Sequence, residues 1–267
     1  MNEESKLISG VVIRLASNRN DCLIKASLLA GKIMLENGAE TSRVEDTMER
    51  MISKALGVER SRETFTYITL NGIFVKTDMN NTNFVRIDNR DHNLDKITKV
   101  NQISRLFTEG LLTIEEVYEK LQEVDEEKMG YSLAMKFFFT AILSGSVMLI
   151  MNGTFIDLPA SMIGGLICYL SYLLAYRYLK IPFITEYIAA FLGGLAAFFV
   201  NGMVGSHLSS VMIGTVAPLV PGIAITNAIR DILAKHYISG SIRLVEGIFI
   251  AGSIGTGIAT VYYIFIQ

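Results

Sequence analysis

The stretch Pro218-Leu219-Val220-Pro221-Gly222-Ile223-Ala224-Ile225-Thr226-Asn227-Ala228-Ile229-Arg230-Asp231 places helix-breaking residues, and then polar side chains, at the end of an apolar run. Proline lacks a backbone donor and clashes with the preceding turn, so a helix here is predicted to break twice. In hydrocarbon every backbone N–H and C=O needs a partner, and a broken helix is tolerated only against other protein or a water-filled cavity. The stretch therefore predicts an interrupted membrane helix beside a polar path.

Charge divides the 267-residue chain near residue 133. Residues 1–133 hold 18 of the 24 Lys and Arg and 22 of the 26 Asp and Glu, a net charge of −4. This acidic balance and the lack of a basic run argue against a nucleic acid partner and against electrostatic docking on anionic lipid. We predict a cytosolic domain over 1–133 and a membrane domain over 134–267.

Five apolar segments in the second half are each long enough to cross about 30 Å of hydrocarbon. They cover residues 134–152, 158–179, 183–201, 207–226 and 242–265. Lys and Arg lie only in alternate connections, which places the N-terminus in the cytosol and, after an odd number of spans, Gln267 outside. The N-terminal segment, with Glu3 and Glu4 before a short apolar stretch, lacks the layout of a signal peptide.

In residues 1–133, some segments have the hydrophobic spacing of helices and others have the period of two that is typical of strands, which predicts an α+β domain. Ser42 and Glu45 fit a capping box at the start of a second helix, and Asn71-Gly72 is a strong hairpin signal. Thr113 predicts a capped start for the last helix. The predicted elements are helices over 21–37, from Ser42 to Gly57, over 93–107 and over 113–127, and strands over 63–70, 73–77 and 83–88.

Common catalytic and metal-binding motifs are missing from the sequence. There is no GxxxxGK[ST] loop, which argues against an ATP-driven pump, and no GxSxG or HExxH motif. The three histidines are isolated from one another and from both cysteines, so we predict neither a metal site nor a cofactor. Cys22 and Cys168 fall in different halves and are predicted to be reduced packing residues.

Small residues recur at four-residue spacing in two of the predicted spans. Such ridges let helix backbones approach closely, and we expect them to pack inside the helical bundle. The ridge residues are Ala189, Gly193 and Ala197 in the third span, and Gly247, Ala251, Gly255 and Ala259 in the fifth.

Few ionisable side chains fall in or beside the predicted spans. A charge at the centre of a membrane helix costs about 2.5–3.5 kcal/mol on insertion scales, so each one is a candidate for a functional role. Glu186 and Glu246 lie about one turn inside the cytosolic ends of their spans, and Arg230 and Asp231 follow the break on the same side. We predict that the four line one inward-facing vestibule. Alternatively, Arg243 and Glu246 form an ordinary helical ion pair, and Arg230 and Asp231 are solvated at the interface.

Neutral polar groups follow the break directly. Thr226 and Asn227 offer donors and acceptors for a small polar solute where the helix is interrupted. The alternative for Pro218 and Pro221 is a packing kink, because proline is frequent in membrane helices.

The segment Gly38-Ala39-Glu40-Thr41-Ser42-Arg43-Val44-Glu45-Asp46-Thr47-Met48, the β-rich middle and the Pro218 to Asp231 segment together resemble the bacterial threonine/serine exporter family. The resemblance implies an exporter of the cytoplasmic (inner) membrane with a cytosolic N-terminal domain, driven by the proton gradient. Some members export threonine and serine, while a two-chain branch is associated with dicarboxylates such as succinate. By this resemblance the substrate or ion pathway comprises Pro218, Pro221, Gly222, Thr226, Asn227, Arg230, Asp231, Glu186 and Glu246.

The chain differs from the long members of that family because it stops after one five-helix unit. The short form is similar to the larger subunit of the two-chain branch, which implies a second small membrane subunit that supplies the other half of the transporter. Pairing with an inverted unit would complete the pseudo-symmetric architecture of many secondary transporters. Self-association within the lipid bilayer is the alternative.

Three functional hypotheses follow. In the first, a secondary exporter, Arg230 attracts a substrate carboxylate, Thr226 and Asn227 order the substrate, and an acidic side chain exchanges protons. In the second, the first domain is a sensor or gate. In the third it is a membrane-anchored metabolite enzyme whose acidic site comprises Glu40, Arg43, Glu45 and Asp46.

Overall fold

The structure, a computed structural model, describes residues 21–57, 64–78, 81–127 and 130–265. The chain divides into two compact units. The first comprises the chain up to residue 128 together with Asn227–Ser241, and the second comprises Met129–Thr226 and Ile242–Gln267. The N-terminal segment and Gln267, on which the expectations about a signal peptide and the outer terminus rest, lie outside the described residues.

The first unit contains four helices and a small sheet in its described N-terminal part. They are α1 over residues 21–36, α2 (Thr41–Leu56), β1 (Phe65–Thr69), β2 (Gly72–Asp78), β3 (Asn81–Arg86), α3 (Leu94–Thr108) and α4 (Ile114–Glu126). The periodicity predictions for these elements are confirmed to within a few residues. The strands form one antiparallel sheet in the order β1-β2-β3, and buried side chains such as Ile33, Met48 and Leu121 form the core.

The hairpin turn lies one residue earlier than the Asn71-Gly72 signal suggests. Thr69 pairs with Gly72 across the strands, so Leu70 and Asn71 form the turn and Gly72 is the first residue of β2. A Cβ atom on Gly72 would lie 2.9 Å from Cζ of Phe84 and 3.1 Å from the carbonyl oxygen of Val85. Glycine is therefore needed at this position for close packing against β3.

The two predicted helix caps have different outcomes. At α4 the capping box is confirmed, since the Thr113 N–H donates to Glu116 Oε2 at 2.8 Å and the Glu116 N–H donates to Thr113 Oγ1 at 3.3 Å. The hydrogen bond from the Thr113 N–H, and after it one with the Thr113 side chain, lower the pKa of the Glu116 carboxyl. At α2 the predicted Ser42–Glu45 box is wrong, because the N-cap is Glu40 and makes no side-chain cap. The α2 N-terminus is satisfied by Asp231, which is distant in sequence.

The second unit is built from long apolar helices. In chain order the elements are α5 (Leu133–Ile150), a 3-10 turn (Phe155–Asp157), α6 (Leu158–Tyr178), α7 (Ile184–Val204), α8 (Leu208–Val216), a second 3-10 turn (Ala217–Leu219), α9 (Gly222–Leu233) and α10 (Tyr237–Phe265). The later parts of α9 and the first residues of α10 belong to the first unit.

The predicted fourth span over 207–226 is not one continuous helix. Leu208–Leu219 is only about 18 Å long, which is too short for about 30 Å of hydrocarbon. A bend of 65° separates it from Gly222–Leu233. Within the described residues, four helices are long and apolar enough to cross a membrane, or five if this bent pair counts as one span.

Small residues bring the membrane helices together on one face of α7. Ala189, Gly193 and Ala197 are fully buried or nearly so, as predicted for the first ridge. On α10 the outcome differs, because Gly257 packs against the backbone of α7 while Ala251, Gly255 and Ala259 are exposed. The prediction that this second ridge packs within the bundle is therefore wrong for those residues, since α10 presents its other face to α7.

We expect Gly193→Ala to destabilise the protein, because the added Cβ would lie 2.9 Å from the Cα of Cys168 and 3.0 Å from the carbonyl oxygen of Gly164. Overpacking of this kind costs about 1–3 kcal/mol. Gly255→Ala is the matched control, since nothing lies within 4 Å of a Cβ there. Thermal unfolding in detergent should lower the midpoint for Gly193→Ala only; equal midpoints would contradict the close helix contact.

Candidate functional site

The helix break has the form that its proline residues predict. α8 ends at Val216, the turn Ala217–Leu219 follows, and Val220 adopts an extended conformation. The Val220 N–H donates to the Ala217 carbonyl at 3.3 Å, and the Gly222 N–H donates to the Val220 carbonyl at 2.8 Å. Local bonds thus satisfy part of the interrupted backbone, and α9 starts anew at Gly222.

The hydroxyl predicted to contact a substrate is used within its own helix. Thr226 Oγ1 donates to the Gly222 carbonyl at 2.8 Å, and the Thr226 side chain is exposed. Space around Gly222 is open, with no atom within 4 Å of an added Cβ. Both residues lie on the exposed side of the first turn of α9.

The polar residues later in α9 contact the segment between α1 and α2, within the first unit. Asn227 Nδ2 donates to the Gly38 carbonyl at 2.9 Å. Asp231 accepts from the Thr41 N–H at 2.8 Å and from Thr41 Oγ1 at 3.0 Å, and its side chain is fully buried. The carboxylate therefore caps the N-terminus of α2, where unpaired N–H groups and the helix dipole favour a negative charge.

Gly38, whose carbonyl accepts the hydrogen bond from Asn227, lies at the end of α1. Gly38 has a φ of +89°, a left-handed conformation that favours glycine. The Gly38 N–H donates to the Leu35 carbonyl and the Ala39 N–H to the Met34 carbonyl, which is the Schellman arrangement for ending a helix. The reversal turns the Gly38 carbonyl away from α1 and toward Asn227.

Two side-chain pairs extend the contact. Arg230 pairs with Glu40, and His236 Nε2 lies 3.2 Å from Glu45 Oε2. We call the set Gly38, Glu40, Thr41, Glu45, Asn227, Arg230, Asp231 and His236 the α2–α9 junction. The junction joins two of the three sequence segments that carry the family resemblance, which local sequence patterns could not reveal because about 190 residues separate these two.

The acidic residues predicted within the spans lie in the second unit. Glu186 is half-buried in the first turn of α7, and its Oε2 is buried without a hydrogen-bond partner among the described residues. Glu246 is half-buried on α10. The Phe183 and Phe249 rings, with centroids 5.3 Å apart, place both glutamates at the same end of the packed α7–α10 pair.

The structure thus divides the predicted pathway residues between two sets. Asn227, Arg230 and Asp231 contact the α1–α2 segment. Pro218, Pro221, Gly222, Thr226, Glu186 and Glu246 belong to the membrane helices of the second unit.

A second buried carboxylate was not predicted as part of a site. Asp157 is fully buried and accepts hydrogen bonds from the Thr154, Ser206 and His207 N–H groups, at 2.9, 2.6 and 3.2 Å. His207 Nδ1 lies 3.0 Å from Asp157 Oδ2. The side chain thereby joins the α5–α6 and α7–α8 connections, and the spacing of Thr154 and Asp157 is the one sequence signal for it.

The described residues contain no group of three or more His, Cys, Asp or Glu side chains arranged to hold a metal ion. Cys22 and Cys168 are both free thiols, as predicted, and they lie in different units.

Apolar helices of membrane-spanning length, one of them broken, are typical of a membrane protein, and interrupted helices are common in secondary transporters. The ThrE family model, described as "Putative threonine/serine exporter", matches residues 25–265, nearly the whole chain. The chain therefore belongs to the threonine/serine exporter family, and the predicted resemblance is confirmed. Neither the curated proteins nor the solved structures gave a match.

Replacing Asp231 by alanine should destabilise the first unit, because the Thr41 N–H and hydroxyl would lose their acceptor. Loss of a helix cap costs about 0.5–2 kcal/mol. Hydrogen exchange should show faster exchange at the Thr41 amide, and urea unfolding should show the lost stability. Arg230→Ala is the control, since its largely exposed ion pair contributes only about 0–1 kcal/mol. Unchanged protection of Thr41 in Asp231→Ala would contradict the capping role.

Proposed function

We propose that the chain is a subunit of a secondary, proton-coupled exporter of small polar metabolites, either threonine and serine or a dicarboxylate such as succinate. The supporting observation is the break between α8 and α9 in an otherwise apolar membrane bundle. Interrupted helices supply partly unpaired backbone groups and open space, which small solutes use in secondary transporters. Membership of the exporter family supports the same class of function.

Glu186 is the proposed proton carrier. Its buried Oε2 has no hydrogen-bond partner among the described residues, and a carboxylate within a membrane helix is a candidate for a proton relay. A group that alternates between the two protonation states can couple proton entry to substrate release. Glu246, at the same end of the α7–α10 pair, is the second candidate, and Asp231 is the third.

The exposed small-residue face of α10 supports a partner in the membrane. Ala251, Gly255 and Ala259 are exposed, and the space beside Gly252 and Gly255 is open. Small residues allow another helix backbone to approach closely. We propose that a second small membrane subunit, or a second copy of the chain, packs there, in the inner membrane with the N-terminus in the cytosol.

A gating role for the first unit is the second candidate function, and the α2–α9 junction favours it. Asn227 and Asp231 follow the helix break in α9 and hydrogen-bond to Gly38 and Thr41. A change at the start of α2 would therefore act directly on the helix that begins at the break. The acidic residues considered for an enzyme site are in part engaged in this junction, since Glu40 pairs with Arg230 and Glu45 with His236.

Glu186→Gln should abolish the pH-gradient-driven part of export while leaving substrate exchange across the membrane, because exchange requires no net proton movement. The measurement is flux of radiolabelled threonine, serine and succinate in proteoliposomes, with and without the second subunit. Glu246→Gln and Asp231→Asn are measured beside it. Wild-type gradient-driven export by all three variants would contradict proton coupling through these residues.

Flux measurements in the same proteoliposomes distinguish a gating role of the first unit from a proton-carrying role of Asp231. If the first unit gates the pathway, Asp231→Ala raises flux in the absence of a gradient while Glu186→Gln does not. If Asp231 carries protons, Asp231→Ala loses gradient-driven flux as Glu186→Gln does. Wild-type flux by Asp231→Ala in both conditions would contradict both roles.

A further inference from the structure

A groove of about 540 Å³ opens in the second unit along the first half of α5. Tyr131 and Lys136 line it at the N-terminal end of α5, and Leu143 lines it near the middle of this 18-residue helix. Tyr169 of α6 and Pro218 of the helix break also line it. The groove therefore runs from one end of a membrane-length helix toward its centre.

The groove covers much of the depth of one bilayer leaflet. From Lys136 to Leu143 the helix rises about 10 Å. Because α5 is long enough to cross hydrocarbon that is about 30 Å thick, its first turn lies near one interface and its middle lies near the bilayer centre. A molecule that fills the groove thus has one end at the membrane surface and the other end among acyl chains.

The one charge of the groove lies at its end near the membrane surface. Lys136 is the only charged side chain among the lining residues. Within the described parts of the chain, its ammonium group has no hydrogen-bond or ion-pair partner. Thr140, one turn farther in, is buried, and its hydroxyl already donates to the Lys136 carbonyl at 2.8 Å. The available cation therefore lies at the depth of the lipid headgroups.

The deeper part of the groove is apolar and open to the outside of the bundle. Phe139 is 54% exposed and Leu143 is 44% exposed, and both line the groove within the membrane-length part of α5. Exposed apolar side chains at this depth contact acyl chains, which are as apolar as leucine. A ligand can therefore enter the groove sideways from the bilayer.

Pro218 allows hydrocarbon to lie against this side of the helix break. Proline has no N–H, so an acyl chain beside its ring leaves no donor unpaired at that residue. The Val220 N–H, two residues later, donates to the Ala217 carbonyl at 3.3 Å. Val220 itself is exposed and does not line the groove. A lipid in the groove thus covers the break at Pro218 and not at Val220.

We propose that the groove binds an anionic phospholipid, whose phosphate pairs with Lys136. Its acyl chain lies along Phe139 and Leu143 and against Pro218. The charge of the headgroup is complementary to the lysine, and the order of polar and apolar parts is that of a lipid in one leaflet. Tyr131 lies beside the headgroup, at the depth where tyrosine is enriched in membrane proteins. This site goes beyond the proposed exporter function and does not depend on it.

Two other occupants fit the groove less well. A soluble metabolite is usually held by several convergent polar groups, whereas this groove offers one cation in a mostly apolar lining. A helix of another subunit would remove Lys136 from water, and an unpaired buried charge is costly. A phospholipid pairs the ammonium group and keeps it at the interface.

Tryptophan fluorescence tests the site, because the chain contains no tryptophan of its own. Phe139→Trp places a reporter in the groove, and Phe249→Trp places one on α10, at a residue that is 58% exposed and does not line the groove. Full-length protein in phosphatidylcholine nanodiscs receives equal amounts of brominated phosphatidylglycerol or brominated phosphatidylcholine. Quenching of Phe139→Trp should show about a fivefold preference for the anionic lipid, which is the effect of one lysine near the surface. Phe249→Trp should show no preference.

Charge variants in the Phe139→Trp background separate lipid binding from folding. Lys136→Gln should abolish the preference for the anionic lipid. Lys136→Arg should keep the preference, because arginine carries the same charge. Lys180→Gln is the matched control and should also keep it, since Lys180 is an exposed cation just after α6 that does not line the groove.

Four results would overturn the lipid site. Two are equal quenching of Phe139→Trp by both lipids and an anionic preference that survives Lys136→Gln. The third is quenching by aqueous iodide with none by either lipid, which would assign the groove to a water-borne solute. The fourth is a reporter shielded from every quencher, which would assign the groove to another protein helix. None of these measurements requires export, so the site and the proposed function fail separately.

Discussion

Backbone groups in hydrocarbon must find hydrogen-bond partners. In the described part of the second unit, the helical hydrogen-bond ladder is interrupted within an apolar stretch between α8 and α9. α5, α6, α7 and α10 satisfy their own backbones and approach one another through residues such as Gly193 and Gly257. Between Val216 and Gly222 the ladder stops, and short local bonds replace part of it. A groove of about 540 Å³, with Pro218 among its lining residues, lies at this break. Irregular backbone and open volume thus coincide at the break.

A second constraint acts at the start of α2, whose first N–H groups need acceptors. Asp231 supplies one from α9, and Asn227 binds the carbonyl that Gly38 presents beside it. A capping residue usually lies next to the helix that it caps, so this arrangement makes the fold of the first unit depend on the chain after the break. The α2–α9 junction therefore gives Asp231 and Asn227 a structural role in addition to the pathway role proposed from the sequence.

The hydrophobic periodicity of the sequence was sufficient to predict those helices and strands that neighbouring residues determine. The Thr113 cap, the hairpin region and the long apolar helices all follow from neighbouring residues. The predictions were wrong where residues distant in sequence determine the local structure. The α2 cap comes from Asp231 rather than from Ser42, and the face of α10 that packs on α7 contains Gly257 rather than Gly255. Local sequence also gave no indication that Arg230 pairs with Glu40.

The central claim is that the break between α8 and α9 borders a water-filled substrate path, and the accessibility of Val220 tests it most directly. Val220 is 56% exposed and lies within the break. In a Cys22→Ser background, Val220→Cys should react with a membrane-impermeant maleimide in proteoliposomes, and threonine should slow the reaction. Phe249→Cys, exposed to a similar extent on α10, should not react, because a thiol in hydrocarbon does not ionise. Equal inertness of the two cysteines would contradict the claim.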